Sequence, residues 1–158
     1  MKKAELILAI EEVHRSWNYL LERIPAERMT ETEALGDGSI KDAVAHVIWI
    51  EAQSMGMLRA ESLIGASESY PLPTEERDAA VVAPSRVRPL EEILDEARTV
   101  QCELRELVAS IRPGDIDGAD WFADLPGTWP PARVIEVNVL EHYWDHIEEL
   151  ARWYRRNV

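Results

Sequence analysis

Four stretches of this chain repeat their apolar residues every three or four positions, and none alternates every second residue. In the first, Leu6, Ile10, Val13, Trp17, Leu20 and Ile24 trace one face of a helix from about residue 3 to 24, closed by Pro25. The second starts at Ser39, whose hydroxyl can cap the helix while Asp42 answers from three residues on, and it is expected to run to about Ile64 and stop near Gly65. The third begins beside Pro89, carries Ile93, Ala97, Val100, Leu104, Leu107 and Ile111, and ends at Pro113-Gly114. The fourth runs from Pro130-Pro131 to about Arg156, where Arg152, Arg155 and Arg156 complement the negative end of the helix dipole. Residues 65–88 hold Gly65, Pro71, Pro73 and Pro84 without a sustained period and read as a long crossover loop. Four amphipathic helices must bury four apolar faces together. The expectation is an all-α, four-helix bundle with a long crossover between its second and third helices, one domain over residues 1–158.

A surface with 30 Asp and Glu against 17 Lys and Arg, a net charge of −13, repels phosphate backbones and anionic lipid. No apolar run approaches the roughly 20 residues needed to span a bilayer. Nucleic acid and membrane are therefore excluded as expected partners. After Met1-Lys2-Lys3, Glu5, Glu11 and Glu12 interrupt the apolar stretch, so no cleavable signal is expected. Cys102 stands alone, which fits a reducing compartment, and the cytoplasm is the expected location.

Chemistry concentrates on the histidines. His142 and His146, four residues apart on the fourth helix, sit one turn apart on a single face, a metal-ligand spacing. His46 lies between Ala43 and Ile50 on the inward face of the second helix, so three imidazoles can converge inside the bundle. Asn138 and Glu149 flank the pair on the same face as candidate substrate or supporting contacts. Trp49 and Tyr143 adjoin the ligands and are candidates for the substrate wall. Trp121, Phe122 and Trp129 either line a pocket or pin their loop to the core. His14, one turn from Ile10 and Trp17, is read as a boundary residue, and Asp145 as an orienting or solvated carboxylate. The H-x-x-D-H order lacks the Glu that follows the first histidine in metalloprotease helices.

Two segments carry a family resemblance. Ser39-Ile40-Lys41-Asp42-Ala43-Val44-Ala45-His46-Val47-Ile48-Trp49-Ile50-Glu51 resembles the second-helix signature of DinB-like (YfiT-like) four-helix-bundle proteins, and Glu141-His142-Tyr143-Trp144-Asp145-His146-Ile147 resembles their fourth-helix signature. The order of the four helices fits over nearly the whole chain; the family's aromatic before the second-helix cap is replaced by Gly38. The resemblance implies that His46, His142 and His146 bind a divalent ion, zinc or nickel, and that the protein is a homodimer.

It further implies an enzyme that uses the ion to activate a thiol or water against a small electrophilic molecule, with a low-molecular-weight thiol as a possible co-substrate. The fourth-helix wording is also similar to the ClbS/DfsB branch, whose members include a protective protein that disarms a reactive genotoxin. The remaining alternative is a non-enzymatic bundle that holds a ligand or a coordinatively closed metal.

Overall fold

The computed structural model describes residues 1–63, 73–124 and 129–158. Among them the regular elements are all helical: α1 (Lys3–Leu21), α2 (Ala26–Met29), α3 (Ile40–Ala60), α4 (Thr74–Arg86), α5 (Leu90–Ser110), α6 (Pro131–Ile135), a π-helical turn (Glu136–Glu141) and α7 (His142–Asn157). No described helix is long and apolar enough to cross a membrane.

The long helices pack in a ring, each against its two neighbours: α1 on α7, α7 with its preceding π turn on α3, α3 on α5, and α5 back on α1. α1 and α3 thus face each other across one diagonal, and α5 and α7 across the other. Between them lies one core, with Leu6, Ile10, Val13, Trp17, Ile93, Leu104, Ile135 and Leu150 fully buried. The burial of these side chains is the main driving force for assembly, at about 1.5–3 kcal/mol each.

Local chemistry sets the helix ends. Ile24 precedes Pro25, which disfavours helical backbone there, so α1 stops at Leu21 although Ile24 stays buried. At α3 the expected capping box is present: the Ser39 hydroxyl accepts from the Asp42 amide at 3.0 Å, and the Ser39 amide donates to Asp42 Oδ2 at 3.1 Å. α3 ends on Glu61 in the left-handed region at φ 51; the expected stop near Ile64 and Gly65 lies outside the described residues.

Residues 74–86 correct the sequence reading. They form α4, packed on α3, where a crossover loop was expected. Pro84 lies in the last turn, where losing one amide donor disrupts little of the helix. The end of α4 is held from outside: the buried Lys41 ammonium donates to the carbonyls of Arg86 and Arg88, and Arg86 Nε sits 3.4 Å from Asp42 Oδ2. A lysine supplying donors to terminal carbonyls replaces the missing intrahelical partners.

The expected fourth helix is interrupted by the π turn. Ile135, Val139, Tyr143 and Ile147, all buried, are spaced by four residues three times running. On a regular α-helix each such step drifts by about 40° around the axis, and a wider turn takes up that drift. The π turn therefore keeps all four side chains on the core.

Candidate metal centre

His46 projects from the second turn of α3, while His142 and His146 occupy the first two turns of α7, directly after the π turn. Their Nε2 atoms converge: His46 to His142 is 3.0 Å and His146 to His142 is 3.3 Å. All three ligand nitrogens lie within 4.8 Å of one another. A neutral imidazole nitrogen offers either one proton or one lone pair, so His142 Nε2 cannot satisfy both neighbours by hydrogen bonding. One cation shared by three lone pairs satisfies all of them. Metal–nitrogen bonds of about 2.0–2.1 Å place ligand nitrogens roughly 2.9 Å apart in octahedral and 3.3 Å apart in tetrahedral coordination. The two separations from His142 fall in that range, and the donor set fits a borderline ion such as zinc or nickel.

The rings are poised as neutral donors. Burial, reinforced by the neighbouring imidazoles and by Arg77, pushes His142 down to about 3. Burial, followed by His146, also lowers His46, with Asp78 opposing, and burial lowers His146 against the pull of Glu149. Desolvation disfavours imidazolium, leaving lone pairs available at neutral pH. Behind the ligands, Asp78 Oδ1 stands 3.6 Å from His46 Nδ1 and Glu149 Oε2 stands 3.5 Å from His146 Nδ1. A carboxylate on that side favours the tautomer with its proton on Nδ1 and turns Nε2 toward the centre.

Two cavities flank the triad. One of about 340 Å³ touches His46 and His142 and is walled by Ile50, Arg77, Val137 and Asn138. The other, about 680 Å³, touches His46 and His146 and reaches along α4 to Arg86. Asn138 is brought to the site, one four-residue step before His142. Trp49 is half-buried and lines neither cavity. Tyr143 is fully buried and points away into the core, as does Phe122, whose ring anchors its loop. The Trp121 indole donates to the Leu58 carbonyl at 3.4 Å, and Trp129 is partly exposed. Arg77 and Asp78 escaped the sequence reading because α4 did; the acidic first turn after Pro73 was the available signal.

The interior holds a second polar group that the sequence reading did not assemble. Tyr143 donates to Glu51 Oε2 at 2.6 Å, and Gln101 donates to the Tyr143 hydroxyl at 3.2 Å. Asn18 in turn donates to Gln101 Oε1 at 2.9 Å. His14 is not at a boundary as expected: it is buried, with Nε2 2.9 Å from Glu51 Oε1, close in distance though poorly aligned for a hydrogen bond. Arg105 Nη1 approaches His14 Nδ1 at 3.3 Å; a guanidinium only donates, so Nδ1 accepts and the ring proton sits on Nε2. Both diagonals of the bundle are thereby tied at its centre. Burial, and after it the Glu51 carboxylate, raises the Tyr143 hydroxyl well above its ordinary value and keeps it a donor.

A family model described as the DinB superfamily matches residues 9–150, which include the triad, all of α3 and α5 and parts of α1 and α7. The chain belongs to the DinB superfamily. Two solved structures share the DinB-like fold over nearly their full lengths. An uncharacterised protein from Escherichia coli UTI89 has a TM-score of 0.83 at 20% identity, covering 99% of this chain and 94% of the other. A protein from Streptococcus pneumoniae has a TM-score of 0.84 at 13% identity, covering 100% and 93%. At such identities these likenesses speak to the fold alone. No curated protein matches the chain. As a DinB-superfamily bundle, the chain carries a three-histidine group able to hold a metal ion.

Proposed function

We propose that the protein is a divalent-metal-dependent enzyme that activates a thiol or water for transfer to, or hydrolysis of, a small electrophilic molecule. The observation that carries this reading is the convergence of three Nε2 atoms beside two cavities. His46, His142 and His146 would hold zinc or nickel. A divalent ion on three neutral donors supplies enough positive charge to bring a bound water or thiol toward ionisation near pH 7.

The chain's own residues do the rest. Asp78 and Glu149 orient the ligand rings from behind. Ile50 and Val137 give the smaller cavity an apolar wall, and Asn138 offers an amide to a polar substrate group. On this reading the protein works as a cytoplasmic homodimer on a small molecule, without nucleic acid or membrane; the net charge of −13 supports the last point.

The test is an open coordination position. Cobalt-substituted protein is titrated with azide and with 2-mercaptoethanol while its visible spectrum is followed. An open site predicts saturable spectral changes with both, after which thiols are screened against electrophiles for turnover. A cobalt spectrum indifferent to both ligands would replace the enzyme with a non-catalytic, closed-metal bundle.

A further inference from the structure

Tyr143 follows His142 in the chain and is held by all three of the other long helices. From α3, the Glu51 carboxylate accepts its hydroxyl proton at 2.6 Å. From α5, Gln101 donates to the same hydroxyl at 3.2 Å, and Asn18 on α1 steadies that amide by donating to Gln101 Oε1 at 2.9 Å. Also from α1, His14 and Trp17 meet the ring edge-on, with centroids 5.2 and 5.8 Å away. Tyr143, Glu51 and Trp17 are fully buried, so bulk solvent does not compete for these contacts. The backbone that carries His142 is therefore fixed, one residue on, from three sides.

Two contacts cross from α3 to α7 close to each other. His46 and His142 meet through Nε2 atoms 3.0 Å apart; five residues further along α3, a rise of about 7.5 Å, Glu51 meets Tyr143. Among the described residues, this second contact is the one side-chain hydrogen bond between the two helices that does not involve the triad. The rest of their interface is apolar, and apolar packing is non-directional. A metal site is far less tolerant, with ligand distances held to about 0.2 Å, so a slip of about half an ångström between α3 and α7 is enough to spoil it. A hydroxyl on a buried carboxylate is short and directional, and weakens steeply when its alignment is lost. It resists the slip that the apolar surfaces permit.

We propose that the Tyr143–Glu51 pair, braced by Gln101, sets the register of α7 on α3 and so holds His142 at ligand distance from His46. Both are positioning residues: neither lines a cavity, and they act through the backbone shared by His142 and Tyr143. The proposal rests on the metal reading given above and adds a determinant of ion affinity beyond the ligands and the carboxylates behind them.

The test separates positioning from mere stability. Zinc affinity is measured by competition with a chromophoric chelator for wild type, Tyr143→Phe, Gln101→Met and Phe122→Ala, each shown to be folded by circular dichroism. Tyr143→Phe keeps the ring and loses only the hydroxyl; it is expected to weaken zinc binding by about fivefold or more, approaching the effect of removing a direct partner of a ligand. Phe122→Ala, a core change away from the triad, is expected to keep the wild-type affinity. A smaller loss in Tyr143→Phe, or an equal loss in Phe122→Ala, would overturn the proposal. If Tyr143→Phe does not fold, Gln101→Met decides: weakened binding supports the pair's role, and wild-type affinity overturns it. If wild type takes up no zinc, the metal reading fails separately. The register is then read in metal-free protein from NMR cross-relaxation between the His46 and His142 rings, whose centroids lie 4.9 Å apart. Its loss in Tyr143→Phe but not in Phe122→Ala supports the proposal, and its survival in both overturns it.

Discussion

Replacing Glu51 by alanine should be among the most damaging single changes in this protein, although Glu51 touches neither the histidine triad nor either cavity. Its carboxylate is fully buried, accepts the Tyr143 hydroxyl at 2.6 Å and lies 2.9 Å from His14 Nε2. Removing it forfeits the hydrogen bond to a buried carboxylate, about 1.5–3 kcal/mol, and strands one buried donor, the Tyr143 hydroxyl, at about 1–3 kcal/mol, while His14 Nε2 loses a close but poorly aligned neighbour. Relaxation recovers part of that sum, and broken buried pairs elsewhere cost about 3–5 kcal/mol. A loss of about 4 kcal/mol is expected, lowering Tm by roughly 10 °C for a chain of this size. Tyr143→Phe removes one donor and should cost about 2 kcal/mol. Because both changes break the same contact, the double variant should cost less than the sum of the singles by about 1–2 kcal/mol. Urea denaturation followed by circular dichroism measures all three. A Glu51→Ala cost below about 1 kcal/mol, or strict additivity with Tyr143→Phe, would refute the claim that a centred polar group ties the diagonals together.

Ser39→Ala should cost about 1 kcal/mol, lowering Tm by about 2–4 °C, because the Asp42 amide loses its acceptor; a thermal melt checks this. Metal-free protein should lose stability on acidification. His142 titrates near its ordinary 6.5 when unfolded and at about 3 when folded, so between these values the unfolded state binds more protons. From His142 alone, this difference removes about 2 kcal/mol between pH 7 and pH 5, and His46 and His146, also lowered, add in the same direction. Denaturation midpoints at pH 7, 6 and 5 test the sign; flat or rising stability would contradict it. Phe122→Ala should cost about 3–5 kcal/mol as a cavity mutation while leaving metal content unchanged, since the ring packs in the core away from the triad.

What could be read in the sequence follows the strength of the apolar repeat. α1, α3 and α5 were legible because Leu6 to Leu21, Ile40 to Leu58 and Ile93 to Val108 each bury a stripe in register, and Ser39 and Pro89 mark starts by their own backbone chemistry. α4 was hidden because it buries only Val82 and Ser85 and contains Pro84. Its stability comes from Lys41 and Asp42, more than thirty residues upstream. The π turn left a trace, the repeated four-residue step from Ile135 to Ile147, but a four-residue step is also ordinary on an α-helix over one or two turns. His142 and His146 were legible as a pair by spacing. Their convergence with His46 depends on how α3 meets α7, which no local pattern encodes. His14, Glu51, Gln101 and Tyr143 lie on four separate helices, each in a position otherwise apolar, so nothing in any one segment announces their meeting. Arg77 is legible only after α4 has been placed.

The central claim is that three histidines form one metal site. Metal content by mass spectrometry, on protein purified without a histidine tag, tests it most directly, with wild type beside His46→Ala and His146→Ala and folding of each checked by circular dichroism. The account predicts close to one zinc, nickel or other divalent ion per wild-type chain and almost none in either folded variant. Wild type that stays empty after incubation with these ions, or variants that keep a full complement, would contradict it.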